Sequence, residues 1–474
     1  MDLKGLSFYI VCSLVHYQTK EVKMKTSKLL LTLIAVASVT AITGCQKTET
    51  SAVEKAIADA ETLTQDQLFE KAAKELGDKG QLKIVATTSR GGKDAVKNAF
   101  IAKLQKYNAA ITDPLKYDTQ VDGTIYTTLL SEITSKVTDG YSAAIVQDGY
   151  QLQTKGLDTK YFKNYVPKEW KEAGGVDTTS ANPFTLQYNF KTWMYNNADG
   201  NMNIDNVWDI TASSFKGKID TMNPNNENVN MDWLIQLSDK DQVAALKTAY
   251  EASTNSSDIK IDDYKSYGDK AYAYAFIDGF IKNAIFYEDD GKAIAHLAET
   301  KGNLGWIVYS KLLKVKETAA ISKKNLVVAA LGTENSNGAT MGDSKMAGFG
   351  GFMYKHYLQI MPNAQYPYAA CAFFNLISTS ADAYKVWGED VGDYPSLPSI
   401  NVDRTQNGNG VLAADLTFTQ KNLADGGTTV FSCLNDPTSN WWLTKGAAVV
   451  ETPSFIGANY DTMIDYIDKK IAAK

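Results

Sequence analysis

Along the chain, apolar positions change spacing several times, and each change marks an element. The first block is a continuous apolar run over 29–42, led by Lys25 and Lys28 and closed by Thr43-Gly44-Cys45. It is about 14 residues long, short of the ~20 that span a bilayer, and so reads as a secretory signal and not a transmembrane helix. Behind it, Ser51-x-x-Glu54 and Thr64-x-x-Gln67 are capping boxes that open two helices. Leu68, Ala72 and Leu76 line one face of the second. An apolar strand over 82–87 then turns through Thr88-Ser89-Arg90-Gly91-Gly92 into a helix over 93–107, with Val96, Phe100 and Leu104 on one stripe. A helix over 125–137 and a short apolar strand over 142–146, ended by Gln147-Asp148-Gly149, repeat the unit. Strand, turn and helix in alternation predict an α/β fold on a doubly wound parallel sheet.

The rhythm breaks at Asn182-Pro183, and an aromatic, polar, strand-like stretch over 185–196 predicts a crossing into a second lobe. Helices are expected over 231–237 and 240–252, a helical region with polar breaks over 264–298, and strands near 306–309 and 326–331. The crossing back is expected around 305–330. A buried helix over 367–378 and an amphipathic helix over 460–473 close the chain. The expected division is a signal segment over 1–44, a tether and N-terminal helices over 45–80, the first part of lobe 1 over 81–184, lobe 2 over 185–315, and the return to lobe 1 with the C-terminal helices over 316–474. Met24 begins a well-formed signal by itself, so residues 1–23 read as an extension of the true start.

Charge changes this picture little and narrows the partners. The whole chain carries −6. The first 44 residues hold five lysines and two acids, and removing their net +3 leaves the mature part near −9. An acidic surface argues against nucleic acid. Cys12 falls in the extension, which leaves Cys45, Cys371 and Cys433; the last two form either one disulfide or two free thiols. His16, His296 and His356 are far apart with no ligand spacing, so no metal site and no cofactor are expected. No nucleophile elbow, phosphate loop or dinucleotide fingerprint is present, so no catalytic residue is expected either.

Two resemblances follow. Ile42-Thr43-Gly44-Cys45 resembles the lipobox of bacterial lipoproteins, which implies cleavage before Cys45 and a lipid on its thiol. Trp208-Asp209-Ile210, Phe215-Lys216-Gly217-Lys218-Ile219 and Pro224 look like a conserved stretch of the extracellular solute-binding proteins of ABC importers. Ala369 through Phe373, Ile377-Ser378, Trp387 and Gly392-Asp393-Tyr394-Pro395 look like a later one, while 401–448 matches nothing in that family. The resemblance implies the two-lobed type 2 periplasmic-binding-protein fold with an interlobe cleft and a hinge. It also implies a monomer anchored by lipid to the outer face of the cytoplasmic membrane of a Gram-positive cell, delivering a small solute to an ABC permease. The alternative is a surface sensor, adhesin or glycan-acting protein on the same fold without transport.

Ligands of open α/β sheets lie beyond the carboxyl ends of the strands. That rule nominates Thr88, Ser89, Arg90 and Gly91 after the first strand and Gln147, Asp148 and Gly149 after the second; the Asn/Pro-rich loop 220–230 adds Asn223 and Asn225. Arg90 and Arg404 are the chain's two arginines, and Arg90, at a helix N-terminus, is expected either to touch the ligand with its planar fork or to latch the cleft. Trp306 and Trp442 are candidates for stacking on a sugar. Asp148 and Glu227 could instead meet an amine. A carbohydrate or small anion is the expected ligand, and the absence of an adjacent Tyr-Tyr pair argues against ferric iron.

Overall fold

Both capping boxes form. Ser51 and Glu54 close the N-terminus of α1 (Ala52–Ala60), and Thr64 and Gln67 that of α2 (Gln65–Leu76). The computed structural model describes residues 50–474 apart from 175–179, 200–201, 203, 254–257, 314–325, 331–342, 389–391 and 401–439. Cys45, Arg404 and Cys433 therefore lie outside the described residues, and with them the expected lipid site and the partner that a disulfide to Cys371 would need.

The first lobe follows as β1 (Leu82–Ala86), α3 (Asp94–Gln105), β2 (Leu115–Thr119), α4 (Asp122–Thr134) and β3 (Ala143–Val146). Strand β1 pairs in parallel with both β2 and β3. Two short helices, α5 (Gly149–Gln151) and α6 (Lys168–Ala173), lead to the long strand β4 (Thr185–Asn196), whose every residue is buried. The second lobe contains β5 (Ile219–Met222), α7 (Asn228–Gln236), α8 (Lys240–Ala252), α9 (Ala271–Asn283), β6 (Ala284–Tyr287), α10 (Asp290–Glu299) and β7 (Leu304–Val308). Here β5 lies parallel to both β6 and β7.

The two parallel trios belong to one 11-stranded sheet among the described residues. Strand β8 (Leu326–Val328) pairs with β4, and β9 (Gly351–Ile360) runs antiparallel to both β3 and β4. Strands β4 and β9 thus carry the chain out to the second lobe and back. The return is made by β9, later than the expected 305–330, because residues 304–308 and 326–328 still pair within the second lobe's part of the sheet. Then come α11 (Pro367–Thr379), α12 (Ala381–Gly388), β10 (Tyr394–Pro395), α13 (Asn440–Thr444), β11 (Ala448–Val450) and α14 (Pro453–Ala472).

Helices α11 and α12 return to the first lobe, where Phe373 meets Phe100 edge-on at 5.4 Å in a core with Leu68, Ile84 and Leu376. Helix α14 does not join that core. Its stripe of Ile456, Met463 and Ile467 packs into the second lobe's cluster, and Lys470 pairs with Asp278 of α9 at 2.8 Å. Helices α11 and α12 thus pack with β1, and α14 packs with β7. Among the described residues no helix is long and apolar enough to cross a membrane.

Candidate functional site

The carboxyl ends of both parallel trios open onto one cleft. Thr87 and Thr88 follow β1, Gln147 follows β3, Met222 ends β5 and Val308 ends β7. Two cavities of about 680 and 340 Å³ fill the cleft and share Thr87, Gln147, Met222 and Glu227. The floor comes from the crossing strands. Alternate residues of β4 point the same way, which puts Gln187, Asn189 and Lys191 on one face beside His356 of β9.

A chain of hydrogen bonds runs along this floor. The Tyr384 hydroxyl donates to Gln187 Oε1 at 3.0 Å, and Gln187 Nε2 donates to His356 Nδ1 at 3.0 Å. His356 Nε2 lies 3.2 Å from Gln147 Oε1 and 3.3 Å from Asn189 Nδ2; with Nδ1 accepting from Gln187, the neutral ring carries its proton on Nε2 and donates it to Gln147. Burial, reinforced by the Arg90 charge, holds the His356 pKa down at about 3, consistent with that form. Gln147 Nε2 in turn donates to Asp122 Oδ2 of the first lobe at 2.6 Å and to Glu227 Oε1 of the second at 2.9 Å. One amide nitrogen therefore joins carboxylates from both lobes.

This arrangement agrees with known folds. A Trichodesmium protein solved with iron and citrate superposes with a TM-score of 0.51 at 13% identity, over 82% of this chain and 99% of that one. A ferric binding protein from Campylobacter jejuni superposes with a TM-score of 0.50 at 11% identity, over 82% and 99%. The chain has the two-lobed type 2 periplasmic-binding-protein fold. No protein-family model matches the chain, and no curated protein matches it.

Within this fold the cleft gathers Thr88, Arg90, Gln147 and Asn225 from among the expected residues. Arg90 is already engaged: its Nη1 donates to the Trp387 carbonyl at 2.8 Å and pairs with the Asp393 carboxylate. It latches α12 and the segment after it to the first turn of the cleft. Ser89 is exposed and lines neither cavity. Gly91 serves packing, since a Cβ there would come within 2.4 Å of the Tyr117 ring. Asn223 caps its own turn by accepting from the Asn225 amide at 3.0 Å.

Three expectations are corrected outright. Trp306 is 1% exposed and stacks on Trp233 at 4.3 Å, beside Trp193, in the second lobe's core. Trp442 is equally buried, lies against Phe190 at 4.0 Å and donates Nε1–H to the Tyr394 hydroxyl. Neither ring can offer a face to a sugar. Asp148 is fully buried and turned inward by its φ of 74°, and it accepts from the Gln151 amide at 2.9 Å and from Asn228 Nδ2 at 2.7 Å.

The larger cavity has a one-sided chemistry. Among the described residues that line it there is no basic side chain and no aromatic ring, but Asp122 and Glu227 are both there. An anion finds no positive partner in it and a sugar finds no stacking face. In the smaller cavity Arg90 pairs with Asp393, and Asp290 pairs with Lys191 Nζ at 3.0 Å behind it, while Asp289 and Lys311 also line the wall. Burial, and then the charges of Glu227, Asp148 and Glu451, hold the Asp122 carboxyl well above the usual range, against the opposing hydrogen bond from Gln147. Burial also raises Glu227, with Lys191 opposing it. Among the described residues no group of three or more His, Cys, Asp or Glu is placed to hold a metal ion.

The sequence reading missed Asp122, Asn189, Lys191, His356 and Asp393. One signal was present: Gln187, Asn189 and Lys191 alternate within a stretch already read as a strand. A polar stripe on a strand that crosses between lobes has to face something polar.

Proposed function

We propose that the protein is a solute receptor that captures a small molecule between its lobes and passes it to the permease of an ABC importer. The observation that carries this reading is the cleft itself. Both parallel trios end on it, two strands cross beneath it, and Gln147 already ties Asp122 of one lobe to Glu227 of the other. In this reading the crossing strands are the hinge, and the lobes close when a ligand adds contacts to both walls. A lipid on Cys45 holds the monomer at the outer face of the membrane, and the few residues between Cys45 and α1 keep the cleft near its permease. The protein does no chemistry on its cargo.

A thermal-unfolding screen over sugars, small carboxylates and phosphates, and amines tests the receptor role. A true ligand at about 100 times its Kd stabilises the folded state by about 2.7 kcal/mol, a readable rise in melting temperature. A chain whose melting temperature responds to none of the three sets is not such a receptor. Cys45→Ser should release the protein from the membrane fraction with its ligand response intact, whereas retention at the membrane argues against the lipid anchor.

A further inference from the structure

We infer that the solute carries a protonated amine on an aliphatic stem, and that Asp122 and Glu227 clasp the ammonium from opposite lobes. The inference rests on the receptor reading above and names its ligand class. Its ground is the way the two carboxylates meet. Both accept from the same Nε2 of Gln147, at 2.6 and 2.9 Å. A neutral NH₂ group thus occupies the point between two acids where an ammonium, with three N–H donors and a full charge, is the better partner.

A second observation points the same way. Asp122 Oδ1 is sealed from solvent and has no hydrogen-bond partner, although the residue lines the cavity. A buried carboxylate oxygen without a donor is costly, and a ligand N–H would satisfy it once the Asp122 side chain turns that oxygen toward the cavity. The rest of the lining suits the stem of such a molecule. Val121, 75% exposed at the mouth, and Met222 are apolar, while Asn225, Asn226 and Thr119 offer neutral polar contacts.

Calorimetric titration of the protein with putrescine, L-lysine, glucose, citrate and calcium chloride tests the inference. Putrescine or L-lysine should bind. Asp122→Asn and Glu227→Gln should each weaken that binding roughly tenfold or more, the scale of a lost charge-assisted hydrogen bond. Both substitutions keep an oxygen that accepts from Gln147, so the unliganded fold is retained. Asn225→Asp changes an exposed residue of the same cavity and provides the converse variant: a third carboxylate should tighten amine binding. Binding of glucose, citrate or calcium in place of the amines overturns the inference and leaves the receptor reading standing. So does amine binding that the variants at 122 and 227 leave at wild-type strength, or that Asn225→Asp weakens. No heat with any of the five overturns both.

Discussion

Asp148, Asp232 and Glu451 form a set of buried carboxylates at the lobe junction, and the half-buried Asp122 and Glu227 form a second set in the cleft beside it. The first set is served by the fold. Glu451 accepts from the Tyr357 hydroxyl at 2.6 Å and from the amides of Lys355 and Gly149 at 3.1 and 3.3 Å. Asp148 takes the Gln151 amide and Asn228, and Asp232 takes the Tyr150 amide at 3.3 Å. The second set shares a single side-chain nitrogen. Each set keeps one buried oxygen without a partner, Asp232 Oδ1 and Asp122 Oδ1, but only Asp122 lies on a cleft cavity. The difference teaches that buried charge alone does not mark a binding site. Charge left for an outside partner, with a cavity to admit it, does.

The comparison breaks most visibly at Glu451. Glu451→Ala strands a hydroxyl and two amide donors in the interior, and urea unfolding should show a loss of about 3–5 kcal/mol. A loss below about 1 kcal/mol would mean that this set is not structural. Next in size is Arg90→Ala, which leaves Asp393, 6% exposed at its side chain, without its cation. Arg90 is itself about a quarter exposed, so the expected cost is about 2 kcal/mol, below that of a fully buried pair. Ligand affinity should change little, and a tenfold loss of affinity without a loss of stability would return Arg90 to the role of ligand contact.

A further effect appears with pH. Burial holds the Glu451 carboxyl up at about 7, and it does the same for Glu75 beneath the Ala369 and Tyr368 amides. The folded chain therefore keeps protons that the unfolded chain releases near 4.5. Stability falls as pH rises from about 4.5 through about 7 and levels off above. Glu54 works in the opposite sense: Lys163 and the Ser51 amide draw its pKa down to about 2, so its contribution is lost only below about 4.5. The urea midpoint should be higher at pH 6 than at pH 8, and a midpoint that rises toward pH 8 would contradict the assignment of Glu451 and Glu75.

These contrasts also explain what was legible in the sequence. Strands β1 and β3 were readable because their apolar runs are buried on both faces. The edge strand β2 was not, since Leu115 is its one buried residue and the rest looks like a loop. Strand β9 was hidden by Lys355, His356 and Gln359, polar residues that read as surface and lie in the middle of the sheet. The strand-end rule found Thr88, Arg90 and Gln147, because the parallel units themselves were visible. It could not find their partners: Asp393 lies 303 positions from Arg90, and only the folded chain brings them together. Trp306 and Trp442 were misread against their own neighbours: Trp306 lies between Gly305 and Ile307, Trp442 between Trp441 and Leu443, and both rings face the core.

Thermal unfolding of Glu227→Gln with and without putrescine tests the cleft pair most directly. The unliganded variant should unfold within about 2–4 °C of the wild type, a difference of about 1 kcal/mol at most, and putrescine should stabilise the wild type but not the variant. A variant that unfolds far below the wild type yet still responds fully to putrescine would show Glu227 to be a structural acid like Glu451, and the division between the two sets would fail.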